Sequence, residues 1–343
     1  MTARVLILRP GSLGDTIVAL PCLKLIRRTF PDAELRVLTN APVASSAPPV
    51  AAVLDGMGLI DGYLDYPIAT RSPSRLLRLA REIRRWRPNV LIYLARRETP
   101  GQVRRDAAFF RACGIRRIVG LPATADLLDN RRLPDGMFER ESERLARTMA
   151  PLGPIDLTGP AAFDLALGEF DRALPRRLLA ERAGGQPFIA LSIGTKQPAN
   201  DWGIENWREL CKQLCRLYPH RLVLTGAEED HATSDAVIQG LGERAVNLCG
   251  LRVRENAALI EGASLFVGHD SGPMHMAAAV GTPLVAIFSR LWRPGIWYPM
   301  SRQATVLYPP SEGSIASIAP AAVLDAVESW LPADDLRKAA DTP

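Results

Sequence analysis

The densest run of chemistry-bearing residues in this chain is Asp270-Ser271-Gly272-Pro273-Met274-His275, which sets a carboxylate, a hydroxyl, a glycine and an imidazole within six positions. It lies inside residues 265–288, LFVGHDSGPMHMAAAVGTPLVAIF, which parse as strand, tight loop, helix, strand. Residues 264–267 read as a buried parallel strand bounded by a glycine. Pro273 suits the first turn of a helix, where its missing N–H has no intrahelical partner to lose. A helix over 273–280 then ends at Gly281, and 283–288 gives the next strand. The loop therefore sits at the carboxyl end of a strand, with the N–H groups of a helix start directed outward, which is a site for a phosphate or diphosphate. A plainer reading stands beside it, in which Asp270 or Ser271 only caps the helix. Ala277-Ala278-Ala279 and Gly281-Thr282-Pro283 keep the helix thin and close to its sheet, which favours the anion.

Similar loops recur along the chain. Strand 4–9 (RVLILR) runs into Pro10-Gly11-Ser12-Leu13-Gly14-Asp15 and then an amphipathic helix over 16–29, followed by strand 34–39. The spacing of Gly11 and Gly14 is not the G-x-G-x-x-G of a dinucleotide site. Asp15, placed before a helix at Thr16, is a good N-cap. Strand 90–94 leads to Arg96 and Arg97, strand 188–193 to Gly194-Thr195-Lys196, and strand 221–225 to Gly226-Ala227-Glu228-Glu229-Asp230. Each candidate thus falls at a strand's carboxyl end, where open α/β sheets bind ligands.

The elements needed to hold these loops are a repeated βα rhythm in two stretches. Residues 41–70 suggest a short helix and a weak strand. Residues 72–87 form a basic amphipathic helix, with Leu76, Leu79, Ala80, Ile83 and Arg87 near one face and Arg71, Arg75, Arg78, Arg81 and Arg85 on the other. Two readings of that helix remain, a solvated surface and a contact for anionic headgroups or acceptor phosphates. Residues 150–187, rich in proline and glycine, read as an interdomain region with a helix around 171–182 and no deep core. Helices over 204–218, 231–241, 254–261 and 318–330, with strands 245–248 and 304–308, complete the second stretch.

A chain of 343 residues with 47% hydrophobic content can bury two cores. Five scattered cysteines argue against a disulfide framework, and Cys211 and Cys215 lack partners for a zinc site. No apolar run reaches the roughly 18 residues of a membrane span, and no signal peptide is apparent. A cytosolic protein, or one peripheral to a membrane, is expected. Residues 1–170 hold 25 Lys and Arg against 18 acids, whereas 171–343 hold 17 against 19. Such asymmetry points to an acidic partner for the first half. Nucleic acid is disfavoured, because aromatics are not interleaved with the arginines.

The segments R-P-G-S-L-G-D-T-I-V-A-L-P at the start of the chain, D-S-G-P-M-H and the A-A-A-V-G-T-P that follows it resemble the ADP-heptose:lipopolysaccharide heptosyltransferases. That resemblance implies the GT-B fold: α/β, with two Rossmann-like parallel-sheet domains facing a central cleft. The expected boundaries are an acceptor domain at 1–165, a nucleotide-sugar domain at 185–317, and a closing helix and tail at 318–343 open to packing back on the first domain. The implied activity is inverting, metal-independent transfer of a heptose or related sugar from a nucleoside diphosphate donor, ADP-heptose favoured, to a lipopolysaccharide core or similar glycan. No cofactor is implied. Asp15 would be the catalytic base, and Gly14, Thr195, Lys196, Glu228 or Glu229, and the segment Asp270, Ser271, Gly272, Pro273, Met274, His275 would hold the donor. Arg96 and Arg97 would meet an anionic glycan or glycolipid acceptor, with peripheral contact at the inner membrane leaflet. The family usually has a lysine two residues before the tryptophan matching Trp202, and here that position is Asn200. Either Lys196 substitutes, or the phosphate relies on Thr195 and backbone. His269 is expected to face solvent, and Trp202 and Trp207 to pack. Two other readings stay open: a nucleotide-sugar-binding protein without transferase activity, and a GT-B-fold nucleotide-sugar epimerase.

Overall fold

In the computed structural model the described residues are 2–40, 50–66, 72–159, 161–310 and 313–332. Arg71, residues 41–49 and 67–70, and the tail from 333 onward, all included in the expectations above, lie outside them. The chain divides into two compact units, Met1–Leu165 and Ala166–Pro343. Both are α/β, and among the described residues every strand pair in both is parallel.

The first unit holds β1 (Arg4–Leu8), β2 (Glu34–Asn40), β3 (Gly62–Tyr66), β4 (Val90–Tyr93) and β5 (Arg117–Val119) in the order β3-β2-β1-β4-β5. The central strands β1 and β4 are apolar and buried on both faces, as suits such a sheet. Leu6, Leu8, Leu38, Leu91 and Tyr93 pack against Leu79, Ile83, Trp86 and Phe110 from the helices Pro73–Trp86 and Pro100–Ala112. Arg87, expected near the core face, is instead the exposed C-cap of its helix in a left-handed conformation.

The helix expected over 16–29 is two helices, Leu13–Val18 and Leu20–Thr29. Pro21 has no N–H to give the carbonyl four residues back, so the ladder breaks at Ala19. The first helix also begins earlier than expected, with Ser12 as its N-cap. Asp15 is therefore not the cap but the third helical residue, and its carboxylate reaches back to Ser12.

The second unit holds β6 (Phe188–Ser192), β7 (Arg221–Leu224), β8 (Ala245–Asn247), β9 (Leu265–His269), β10 (Leu284–Ile287) and β11 (Ala304–Leu307), ordered β11-β10-β9-β6-β7-β8. Its core joins Leu191, Val267 and Ile287 to Trp202, Trp207, Leu210 and Leu214 of the 200–217 region and to Val323 and Val327. The helix Pro320–Glu328 is thus part of this unit's core. The helix Glu169–Ala183, expected around 171–182 in an interdomain region without a deep core, is docked on this unit. Asp171 pairs with Arg254 at 2.8 Å and Arg172 with Glu261 at 2.6 Å. Among the described residues no helix is long and apolar enough to cross a membrane.

Candidate functional site

In each unit the chain order reverses direction once across the sheet, between β1 and β4 in the first and between β6 and β9 in the second. Loops leaving the carboxyl ends of the strands beside such a reversal diverge and open a crevice. The candidates gather there. Asp15 follows β1 and Arg96 follows β4, while Thr195 and Lys196 follow β6 and Asp270 to His275 follow β9.

Around β1 the geometry fixes one carboxylate. Asp15 Oδ2 accepts from the Ser12 N–H at 2.7 Å and is 2.9 Å from the Ser12 hydroxyl. Gly11 (φ 149°) lies so close that a Cβ there would stand 2.6 Å from Asp15 Cβ, so this loop requires glycine. Beneath it Arg9 is only 1% exposed. Its guanidinium donates to the Leu94 carbonyl at 2.8 Å and to the Asp15 carbonyl, and lies 3.4 Å from Asp15 Oδ1. Gly14 is buried in the helix's first turn.

Arg96 and Arg97, expected as acceptor contacts, are committed internally. Arg96 donates to Glu141 at 2.6 Å and to Asn130 at 2.7 Å. Arg97 donates to the buried Asp106 at 2.7 Å, which also receives the Tyr93 hydroxyl. Glu141 is fully buried and also holds Arg144; burial raises its pKa, but the arginines outweigh that and keep it below the usual carboxylate range.

In the second unit Ser271 is the N-cap of the helix Gly272–Ala279, yet its hydroxyl donates to the His269 carbonyl and does not cap. The first-turn N–H groups are the ones a helix cannot satisfy itself. Pro273 stands in that turn, and Met274 and His275 are buried, so Met274 offers only backbone to a ligand. Asp270 is different in kind. Among the described residues no donor to its carboxylate is found, and burial alone pushes its pKa up to about 7.

His269 corrects an expectation: it is fully buried in β9 rather than facing solvent. Its Nε2 accepts the Trp202 N–H at 3.2 Å and its ring meets Trp207 edge-on at 5.3 Å. Burial lowers its pKa to about 4, so it is a neutral packing residue. Trp202 and Trp207 are buried against each other, as expected of packing residues.

The neighbouring loops divide the two glutamates. Glu228 leans over the backbone of Gly250, whereas Glu229 and Asp230 are the charges that oppose the burial-driven lowering of the Lys196 pKa. Asp230 accepts the Ala227 N–H at 2.9 Å and presses on Gly194, joining the loops after β6 and β7. Thr195 turns its hydroxyl onto Gln197 in its own loop. Among the described residues no three His, Cys, Asp or Glu side chains are grouped to hold a metal ion.

A model of glycosyltransferase family 9 (heptosyltransferase) matches residues 98–317. The chain belongs to that family. Lipopolysaccharide heptosyltransferase 1 of Pseudomonas aeruginosa is 26% identical over 300 residues, spanning 83% of this chain and 78% of its own length. The family 9 glycosyl transferase of Veillonella parvula superposes with a TM-score of 0.75 at 19% identity, over 96% of this chain and 97% of the other. E. coli heptosyltransferase WaaC with ADP-2-deoxy-2-fluoro heptose does so with 0.66 at 18%, over 95% and 99%. Those likenesses show a shared fold, the two-unit GT-B arrangement of parallel sheets. The enzyme is a glycosyltransferase, which sets aside the epimerase and the inert binding protein.

In this family 9 chain the position of the absent lysine has a structural occupant. Asn200 is buried, its Nδ2 donating to the Asp270 carbonyl at 3.2 Å and its Oδ1 accepting from the Ser289 hydroxyl. It ties the loops after β6, β9 and β10 together. Sequence reasoning gave no role to Arg9, Asp230 or Ser289, and took Asn200 only as the position of a missing lysine. Only Asp230 carried a local signal, as the third residue after Ala227 in a capping arrangement.

Proposed function

We propose that this glycosyltransferase moves a heptose from a nucleoside diphosphate sugar, ADP-heptose favoured, to a lipopolysaccharide core or similar anionic glycan, with inversion and without a metal ion. The observation that carries the reading is the pairing of motifs with switch points: the Asp15 loop in one unit, the uncapped helix start at Ser271–Met274 in the other. The P. aeruginosa relative's name and the ligand in the WaaC structure support the choice of sugar and nucleotide.

In this reading the diphosphate lies on the backbone N–H groups at the start of the helix Gly272–Ala279, with Lys196 as the nearby cation in place of the lysine missing at Asn200. Glu229 shares its surroundings with Lys196, and so is the better placed of the two glutamates to serve the same ligand. Asp15 takes the proton of the acceptor hydroxyl as it attacks the anomeric carbon, and the nucleoside diphosphate leaves with the bonding electrons. Ser12 and Arg9 hold that carboxylate in place, through the hydrogen bonds to its Oδ2 and the guanidinium beneath it. The acceptor's negative charge, and an anionic leaflet carrying it, would meet the exposed Arg75, Arg78, Arg81 and Arg85 of the helix Pro73–Trp86, since Arg96 and Arg97 are occupied.

The test is turnover of ADP-heptose with a heptose-free lipopolysaccharide core in the presence of EDTA, for the natural chain and for Asp15→Asn. ADP release should persist in EDTA and fall about 10³-fold in the variant, within the range for loss of a general base, while ADP still binds. Turnover that survives Asp15→Asn, or that requires added metal, defeats the proposal.

A further inference from the structure

At the opposite edge of the first unit's sheet, where β4 and β5 begin, there is an open pocket of about 480 Å³. Arg84, Arg87, Asn89, Cys113, Gly114 and Arg116 line it, and among the described residues no acidic one does. Its walls are the chain that joins the helix Pro73–Trp86 to β4 and the chain that joins the helix Pro100–Ala112 to β5. The loops bearing Asp15 and Arg96 leave the other ends of β1 and β4, so this pocket is no part of that site.

The bland account is that basic side chains gather where helices end, because the last carbonyls attract them. Arg84 fits that account, since its Nη2 donates to the Ala112 carbonyl at 2.7 Å. Arg87 does not. It is the C-cap of its helix with φ 55°, one of two non-glycine residues with positive φ among those described. Glycine or asparagine is the usual occupant of such a position, since a Cβ strains it. The chain keeps an arginine there, and that arginine lines the pocket. Strained residues of this kind cluster at ligand sites. The remaining wall adds donors and no negative charge. Asn89 Oδ1 accepts the Arg4 N–H at 2.7 Å, which fixes the amide with its NH₂ as a donor. Cys113 stays a neutral thiol, because burial pushes its pKa up more than the Arg84 charge lowers it.

We infer that this pocket is a second anion site, which takes the phosphoryl group of a phosphate ester and the polar body attached to it. Three of the lining residues are arginines, whose guanidinium groups carry the forked donors that phosphate oxygens accept, and the volume exceeds that needed by a bare phosphate. A soluble phosphate ester and a phospholipid headgroup share this chemistry.

Two probes separate them: glycerol 3-phosphate titrated calorimetrically into the full chain, and sedimentation with phosphatidylglycerol vesicles against phosphatidylcholine vesicles. Each is repeated with Arg87→Gly and with Arg84→Gln/Arg116→Gln. Glycine suits φ 55°, so Arg87→Gly should melt at the same temperature or higher while binding falls about tenfold, the loss expected for one charge-assisted contact. A fall seen with glycerol 3-phosphate assigns a soluble ester, and a fall seen only with anionic vesicles assigns a headgroup. ADP affinity should not change in either variant. The inference is overturned if neither probe binds, if both variants bind as the natural chain does, or if ADP competes with glycerol 3-phosphate. None of these readouts depends on turnover, so they stand or fall apart from the transferase reading.

Discussion

Asp15 and Asp270 each sit in a strand-to-helix loop beside a switch point, but they are held in opposite ways. The first is surrounded by donors: the Ser12 N–H, the Ser12 hydroxyl, and the buried guanidinium of Arg9. The second has none at its carboxylate among the described residues, and burial raises its pKa to about 7. The same contrast extends outward. Around β4 the chain has Glu141, Arg144 and Arg96 in one compensated group, whereas Asn200 and Ser289 brace the end of β9 with neutral hydrogen bonds. One loop supplies its carboxylate with hydrogen-bond donors, and the other buries its carboxyl where a charge is disfavoured. A carboxyl that takes up a proton near neutrality can stand beside a diphosphate without full repulsion and can donate a hydrogen bond to it.

The largest expected effect concerns the compensated side. Glu141→Gln leaves Arg144 buried without its counter-ion, and the first unit should lose about 3–5 kcal/mol in urea unfolding. A loss under about 1 kcal/mol would mean that charge compensation does not hold this region together.

On the uncompensated side the sign reverses. The folded pKa of Asp270 lies above its unfolded value of about 4, so between pH 4 and pH 7 the folded state retains a proton that the unfolded state releases. Stability therefore declines as pH rises through that window, by at most about 4 kcal/mol, and declines no further above it. Asp270→Asn removes the decline. It should be more stable than the natural chain at pH 8, by roughly 2–4 kcal/mol, and equal to it at pH 4. The buried His269 loses stability in acid in both proteins, so the difference between them is the quantity to follow. Equal pH profiles would erase the contrast between the two aspartates.

Arg9→Met sharpens it from the other side. With the guanidinium gone, Asp15 loses its support from beneath, and kcat should fall about 10- to 100-fold with ADP affinity unchanged. A change confined to melting temperature would reduce Arg9 to a packing residue. Smallest is Lys196→Ala, for which ADP binding should weaken about tenfold, one charge-assisted contact with phosphate. Unchanged ADP affinity would leave the diphosphate to backbone and helix start alone.

Much of the architecture was legible because it depends on local pattern. Apolar runs such as FIALS and LFVGH, followed by glycine-bearing loops, are enough to place β6 and β9 and the loops after them. The break at Ala19 was also written locally, in Pro21, as was the reach of Asp15 back to Ser12, three residues apart. Other features rest on partners far away in the chain. Arg96 is occupied by Glu141, and His269 is sealed by Trp202 and Trp207; no window of sequence contains both members. Asn200 is buried because three loops converge on it, which requires the strand order to be known first.

That strand order also bears on how the chain reaches its native state. The middle pair of each sheet joins distant segments, β1 with β4 and β6 with β9, while intervening strands stack outward on one side. The central ladder thus cannot form until a long excursion has closed, and the entropy of closing it is spent before any pairing repays it. Refolding should be slow, with Ile189–Leu191 and Leu265–Val267 among the last apolar segments to be covered. A chaperone would act on that interval, by shielding strands that await their neighbours.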